Sequence, residues 1–413
     1  MALIVHKYGG TSMGSTERIR NVAKRVAKWV RAGHQLVVVP SAMSGETNRL
    51  LGLAKELSAN PSARELDMIA ATGEQVSSGL LAIALQAEGL ESVSYAGWQV
   101  PIKTDSSFTK ARIESIDDAR VRADLAAGKV VVITGFQGVD PEGHITTLGR
   151  GGSDTSAVAV AAAMKADECL IYTDVDGVYT TDPRVVPEAR RLHTVSFEEM
   201  LEMASLGAKV LMIRSVEMAM AHRVPVRVLS SFVEPGEAPG QGTIVCDEEE
   251  IMEKRIVSGV AYSRDEAKIT LLGLPDHPGV SSQIFGRLAD ANVNVDMIVQ
   301  SRARTAETAN MEFTVGKRDA ARAVEIVRAA RDEIGFEDVA VNEDVAKVSV
   351  IGVGMRSHAG IASTMFKTLS DENINIQMIT TSEIKTSVVI DEKYMELAVR
   401  ALHKAFGLEE AKA

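Results

Sequence analysis

Three short loops in this sequence carry residue types whose spacing suits chemistry on anions. The first is Lys7-Tyr8-Gly9-Gly10-Thr11-Ser12, between the apolar run Leu3-Ile4-Val5 and an amphipathic stretch from Ser15 to Arg31. Adjacent glycines let backbone N–H groups approach a phosphate without Cβ obstruction. A helix starting after them would add the positive end of its dipole. Lys7, leaving the strand end, adds a mobile cation. This is not a Walker A loop. Gly9 and Gly14 have its GxxxxG spacing, but Ser15 stands where its lysine is required. Taken alone, the glycine pair also fits a plain tight turn.

The second loop is Gly149-Arg150-Gly151-Gly152-Ser153-Asp154-Thr155. Arginine can clamp a carboxylate in a fork, and Ser153 or Asp154 can N-cap the helix that follows. Its plainer reading is a loop with a capped helix. The third is Tyr172-Thr173-Asp174-Val175-Asp176-Gly177-Val178-Tyr179, running on through Asp182 and Arg184. Asp-x-Asp-Gly opens like a calcium loop, but the twelfth position from Asp174 is Val185, where a bidentate glutamate is needed. Calcium is rejected. Ligands of open α/β sheets bind at strand ends, so three strand-end loops reinforce one another.

The elements that must carry these loops alternate up to about residue 230. Leu36-Val37-Val38-Val39, Val130-Val131-Val132-Ile133, Leu170-Ile171-Tyr172 and Val226-Arg227-Val228-Leu229 read as strands. Between them Ile19, Val22, Ala23, Val26 and Val30 share one helical face, Ser153 opens an alanine-rich helix to Met164, and 196–205 and 210–221 read as helices. Continuous apolar strands separated by helices predict a largely parallel sheet covered on both faces. Pro235 to Gly242 and the acidic run Asp247 to Glu250 place a domain boundary between about 232 and 258.

An internal repeat follows. Ala267-Lys268-Ile269-Thr270-Leu271-Leu272-Gly273 matches Ala346-Lys347-Val348-Ser349-Val350-Ile351-Gly352, and Asn292-Val293-Asn294 matches Asn373-Ile374-Asn375. Each copy reads as βαββαβ, a ferredoxin-like sandwich.

Composition excludes several classes. A length of 413 residues calls for two or three domains. A net charge of -11 and an aromatic fraction of 4% oppose a nucleic-acid footprint or a base-stacking platform. Cys169 and Cys246 form no CxxC pair and the eight histidines no paired ligand spacing, so no metal centre is expected. The N-terminal apolar run is too short for a signal peptide. No unbroken apolar stretch reaches the roughly 18 residues of a membrane span. A soluble, cytoplasmic protein is expected.

The motifs KYGGTS at Lys7–Ser12, Ser41-Ala42-Met43-Ser44-Gly45-Glu46-Thr47-Asn48, Gly73-Glu74, Gly149–Asp154 and Thr173–Gly177 resemble those of aspartate kinases, in that family's order, and the tandem repeat resembles its ACT pair. The resemblance covers essentially the whole chain and matches the monofunctional form, without a fused homoserine dehydrogenase. It implies a three-layer α/β/α amino acid kinase domain over 1–245, with a mainly parallel sheet. Two ferredoxin-like ACT domains would follow over 258–340 and 341–413. It implies ATP with Mg2+, and phosphorylation of the L-aspartate β-carboxylate as the first step towards lysine, threonine and methionine.

The roles carried over follow the matching motifs. Lys7 and Asp154 are catalytic, Lys7 on the phosphoryl oxygens and Asp154 positioning it or helping to organise the Mg2+-nucleotide. Gly9, Gly10, Thr173, Asp174, Tyr179, Arg184 and Lys209 lie along ATP. Ser41, Thr47, Glu74, Arg150, Gly151, Gly152 and Ser153 surround aspartate, with Arg150 on a carboxylate and Glu74 on the α-ammonium. Effectors, lysine and/or threonine, fall to Asp276, Gly279, Asn292, Asn294, Gln300, Asn375, Ile376, Thr381 and Ser382. A homodimer or homotetramer is expected, and Met252 is a candidate internal start for a shorter regulatory subunit. The rivals are another kinase of the same superfold and a catalytically silent amino-acid sensor. The ACT repeat and KYGGTS oppose the first; intact Lys7, Arg150 and Asp154 oppose the second.

Overall fold

The computed structural model describes residues 1–206, 210–233, 242–251, 256–302 and 308–409. Lys209 and Met252 lie outside them. The chain forms two compact units, residues 1–179 with 191–253, and residues 180–190 with 254–413. The expected linear division at 245 and 258 is therefore corrected by one excursion: 180–190 leaves the first unit for the second.

The first unit is built on an eight-stranded sheet. In spatial order its strands are Thr194–Ser196, Thr243–Cys246, Val226–Ser230, Glu168–Thr173, Leu3–Tyr8, Gln35–Pro40, Val130–Ile133 and Ser92–Tyr95. All neighbours are parallel except Val226–Ser230 with Thr243–Cys246. Side chains alternate across a strand, and the alternation sorts this sheet into two cores. Ile4, Tyr8, Leu36, Val38, Val130, Val132, Leu170 and Tyr172 pack with Ile19, Val22 and Val26 of helix Thr16–Arg31 and Leu81 and Leu85 of helix Thr72–Ala87. The intervening positions, Lys7 among them, face helix Gly152–Met164. A second sheet, of strands Ile113–Ile116, Ile102–Thr104, Gln137–Val139 and Ile145–Thr147, was not foreseen. Its strands of three or four residues leave no periodic signal.

One helical run, Ala63–Ala87, is long and apolar enough by composition to cross a membrane, with a mean hydropathy of 1.3. This corrects the expectation that none would be. The run nevertheless carries Asp67 and Glu74, only 1% and 3% exposed. Both are hydrogen-bonded inside this unit, as befits a core helix pair.

The second unit is one six-stranded antiparallel sheet in the order Val295–Arg302, Thr308–Val315, Gly259–Pro275, Asp338–Ile351, Lys385–Asp391, Met378–Thr381. The repeat holds at the backbone. Gly279 and Gly360 open helices Val280–Asp290 and Ile361–Asp371 at φ of 103° and 100°, and Asn292 and Asn373 both sit at φ 56°. The copies are not simply sequential. Residues 259–263 pair with 351–347, whereas 266–272 pair with the strand's first half. Val257 and Val260 accordingly pack in the core of the second copy with Val348, Met365, Val388 and Leu402. The second copy thus takes its fourth strand from ahead of the first, which corrects its expected span of 341–413.

Where the long strands pass between the copies, Lys347 is 6% exposed. Its Nζ lies 2.9 Å from Glu266 Oε1 and also contacts Asp296. Burial disfavours its charge, but Glu266 and then Asp296 outweigh that and hold the ammonium above the usual lysine range. Removing one partner of a buried pair strands the other charge. Lys347→Met is expected to cost the second unit on the order of 3 kcal/mol in urea unfolding, and adding Glu266→Leu to recover most of that loss. A single mutant with the wild-type midpoint would remove the pair's structural role.

Candidate functional site

The first and third loops, with the loop that starts at Ser41, emerge together because the strands before them are neighbours and parallel; the second loop follows Ile145–Thr147 of the four-stranded sheet and meets the first through Asp154 against Lys7. Leu3–Tyr8 lies between Gln35–Pro40 and Glu168–Thr173, with Tyr8 opposite Pro40 and Tyr172. Gly9 N–H donates to the Tyr172 carbonyl at 3.3 Å, and Ser41 N–H to the Tyr8 carbonyl at 2.8 Å. On the far face, Tyr8 and Tyr172 stack with centroids 4.7 Å apart, and Arg25 lies 5.0 Å over the Tyr172 ring. Gly10 passes so close to the next loop that a Cβ there would stand 3.1 Å from the Ala42 carbonyl.

Lys7 Nζ lies 2.6 Å from Asp154 Oδ1, with both side chains about nine-tenths buried. The contact is an ion pair without a hydrogen-bond angle, since Oδ1 gains no hydrogen-bond partner. Asp154 stands in the first turn of helix Gly152–Met164. Its N-cap is Gly151, at φ 72°, and no side chain caps it. The capping expected of Ser153 or Asp154 is thereby corrected: both lie inside the first turn. The helix after the Gly-Gly pair runs over Thr16–Arg31, as the apolar face from Ser15 to Arg31 predicts, and Ser15 Oγ caps it by accepting from Arg18 N–H at 3.2 Å. The uncapped helix start beside Lys7 is therefore that of Gly152–Met164, a place suited to an anion.

Glu74 lies in the first turn of helix Thr72–Ala87. Its Oε1 accepts from Ala42 N–H at 3.0 Å, while Oε2 is buried and unpartnered. Burial pushes the carboxyl up to about 7 against the pull of that N–H. A buried acid with one open oxygen suits an ammonium ligand. Ser41, on the loop after Gln35–Pro40, and Thr47, in the first turn of helix Glu46–Leu57, are partly buried, and Ser77 Oγ fixes the Ser41 carbonyl at 2.7 Å. Arg150 is exposed and makes no ion pair with a described residue.

Two positioning residues escaped the sequence reading. Asp67 accepts from Thr109 N–H, Thr147 N–H and Thr147 Oγ1 at 2.8, 2.8 and 2.6 Å. Arg214 donates to the carbonyls of Leu148 and Ala111. Together they hold the chain just before Gly149 and the segment 109–111 that packs beside it. Neither belongs to a motif; a lone helical acid or arginine reads as a solvated side chain.

In the third loop, Thr173 Oγ1 donates to Asp174 at 3.1 Å. Tyr179 OH donates to Asp176 at 2.9 Å, and Arg191 pairs with the same carboxylate at 3.2 Å. Arg184 belongs to the second unit and pairs with Asp182 at 2.7 Å.

In the second unit, Asp276 pairs with Arg302 at 3.0 Å. Gly279 begins its helix, and Asn292, Asn294, Gln300, Asn375, Thr381 and Ser382 are exposed, with Ile376 partly so. Met297 and Val299 pack with Met378, Val345 and Val389, so the strand of Gln300 meets that of Thr381.

The chain matches the amino acid kinase family over residues 2–230 and ACT domains over 268–332 and 348–406. It is 61% identical over 409 residues to the aspartokinase of Pseudomonas aeruginosa, covering 99% of this chain and 98% of that one. The aspartokinase of Helicobacter pylori is 50% identical over 415 residues, covering 99% of this chain and all of its own. Among solved structures, E. coli aspartokinase III in complex with aspartate and ADP (R-state) superposes with a TM-score of 0.78 at 26% identity, over 98% of this chain and 99% of that one. The same enzyme with lysine and aspartate (T-state) gives 0.74 at 27%, with the same coverage. The chain belongs to the amino acid kinase family and, within it, to the aspartokinases.

Glu74 makes a test of the site without any turnover. Its carboxyl titrates higher folded than unfolded, so the folded state binds the extra proton and stability falls as pH rises from about 4.5 to about 7. Glu74→Gln is expected to remove that fall, gaining up to about 3 kcal/mol at pH 8 in thermal unfolding, and to weaken aspartate binding. Equal pH slopes in mutant and wild type would contradict the buried, half-satisfied carboxylate.

Proposed function

We propose that this chain transfers the γ-phosphoryl group of ATP to the β-carboxylate of L-aspartate, giving 4-phospho-L-aspartate, under inhibition by lysine and/or threonine bound at its ACT modules. The observation that carries the reading is Lys7. Its ammonium is buried against Asp154 at an uncapped helix start, and Glu74, held by Ala42 N–H on the loop that Gly10 packs against, keeps one oxygen open.

The aspartate side chain is already ionised at neutral pH, so no general base is required. A carboxylate oxygen attacks Pγ, the bond from Pγ to the β,γ-bridging oxygen breaks, and ADP leaves with that electron pair. The obstacle is bringing one anion to another. Catalysis then consists of positioning and charge neutralisation. Lys7 takes the transferring oxygens, with Gly9 and Gly10 as backbone donors. Asp154 keeps Lys7 in place. Glu74 takes the α-ammonium and Arg150 a carboxylate, with Ser41, Thr47, Gly151, Gly152 and Ser153 around them. Thr173, Asp174, Tyr179, Arg184 and Lys209 line the nucleotide.

Mg2+ fits as part of the nucleotide substrate. Among the described residues no cluster of three or more acids, histidines or cysteines forms a cage. Mg2+ is commonly held by substrate phosphates and one or two carboxylates; Asp154 is the carboxylate placed to assist. The ion supplies further neutralisation of the phosphate oxygens.

In the second unit the strands of Gln300 and Thr381, which meet through Met297 and Met378, with the helix starts at Gly279 and Gly360, suit an amino acid's carboxylate and ammonium. An effector inhibits only by favouring a less active state, with a coupling of about 1–3 kcal/mol.

Purified protein with Mg-ATP, L-aspartate and hydroxylamine is expected to form aspartate-dependent hydroxamate, reduced by lysine, threonine or both. Asp276→Ala should keep most activity and lose the inhibition. Absence of aspartate-dependent product would reject the reading; an Asp276→Ala enzyme as inhibitable as wild type would reject the effector assignment.

A further inference from the structure

Residues 180–190 lie in sequence directly after the third loop, yet they are built into the regulatory unit. Thr180 is 1% exposed, and its Oγ1 lies 2.9 Å from Nε2 of His403, also 1% exposed. The Thr180 carbonyl accepts from Val260 N–H at 2.8 Å. Val186 packs in the core of the second ACT module with Val260, Val350, Val399 and Leu402. Asp182 accepts from Tyr262 OH at 3.0 Å, and Arg190 Nε donates to the Leu408 carbonyl at 2.9 Å. This is an anchored segment.

Its two ends are held together. Thr180 N–H donates to the Arg190 carbonyl at 2.8 Å, and Arg190 N–H to Thr180 Oγ1 at 3.0 Å. One residue further out, across the peptide bonds to Tyr179 and Arg191, the pairing continues as a bridge between those two residues, and then as Leu192 N–H to the Val178 carbonyl at 2.8 Å. Tyr179 and Arg191 both end on the carboxylate of Asp176. A single two-stranded ribbon therefore has its tip in the regulatory core and its base on the loop assigned to the nucleotide. Thr180 Oγ1 is the atom where the ribbon's cross-pairing and its anchorage to His403 meet.

We propose that Thr180 and His403 are positioning residues for the nucleotide, and that the ribbon 178–192 is the covalent strut through which the second ACT module sets Asp176 and Tyr179. The inference rests on the kinase reading above and adds to it a defined route. No contact with substrate is required of either residue. Their bond fixes the tip, the tip fixes the register of the ribbon, and the register places the Tyr179 hydroxyl.

Thr180→Val keeps the shape of the side chain and deletes the hydroxyl; Thr180→Ser keeps the hydroxyl. ADP affinity, read by titration calorimetry with and without lysine plus threonine, is measured beside the KM values for Mg-ATP and aspartate. Thr180→Val is expected to weaken ADP about three- to ten-fold, raise the KM for Mg-ATP by a similar factor and leave the KM for aspartate unchanged. Any effect of the amino acids on ADP affinity should shrink with it, and Thr180→Ser should restore wild-type values. If Thr180→Val fails to fold, Tyr262→Phe removes only the hydroxyl on Asp182 and should act in the same direction. Wild-type ADP affinity in a folded Thr180→Val protein would overturn the strut. That holds whether or not aspartate is turned over, so failure of the strut and failure of the kinase reading remain distinguishable.

Discussion

The first unit depends on one constraint, the burial of a lysine in the middle of a parallel sheet's edge-to-edge strand ends. Strand parity sends His6 and Tyr8 to one face and Lys7 to the other. On its own face Lys7 meets an alanine-rich helix, where an unpaired ammonium would be costly to bury. Asp154 meets that need from the first turn of helix Gly152–Met164. Placing it there requires the helix to begin at Gly151 in a left-handed conformation, and requires the preceding chain to be held by Asp67 and Arg214. The charge pair thus dictates where a helix starts and how its loop is pinned, and leaves the helix's first N–H groups uncapped by any side chain.

The same arrangement is what a transfer between anions requires. A lysine balanced by an aspartate is tolerated before substrate arrives, and its bent ion pair leaves donors for phosphate oxygens. Glu74 is the counterpart for a cation. It is held by one backbone N–H, and its second oxygen is left buried without a partner, which costs stability in the empty protein. Strain of this kind is characteristic of a site built for a charged ligand. Cys169, opposite Val5 and nearer the start of the neighbouring strand, shows the contrast: burial pushes its thiol well up, and it serves as a small packing group.

Much of this was legible in the sequence because it rests on local patterns. The β-branched runs became the strands, and the first and third loops came out on adjacent parallel strands, while the second joined them from the four-stranded sheet. The repeat was readable because Gly279 with Gly360, and Asn292 with Asn373, answer the same backbone requirement. What escaped depends on distant partners. Asp67 acts on residues 42 and 80 positions away, and Arg214 on carbonyls with no sequence signature. The second ACT module borrows Gly259–Ser263 from before the first, a topology that similarity between copies conceals. Residues 180–190 directly follow the third loop, yet they belong to the regulatory unit, a choice made by Val186 and Thr180 in tertiary context that no local pattern announces.

The central claim is that Lys7 acts on the transition state rather than merely holding substrate. The direct measurement is steady-state kinetics of Lys7→Ala with Mg-ATP and aspartate, beside its ADP affinity. The account predicts a kcat lower by about 100-fold or more, with both KM values and ADP affinity changed far less. A near-normal kcat, or a loss confined to KM, would contradict it.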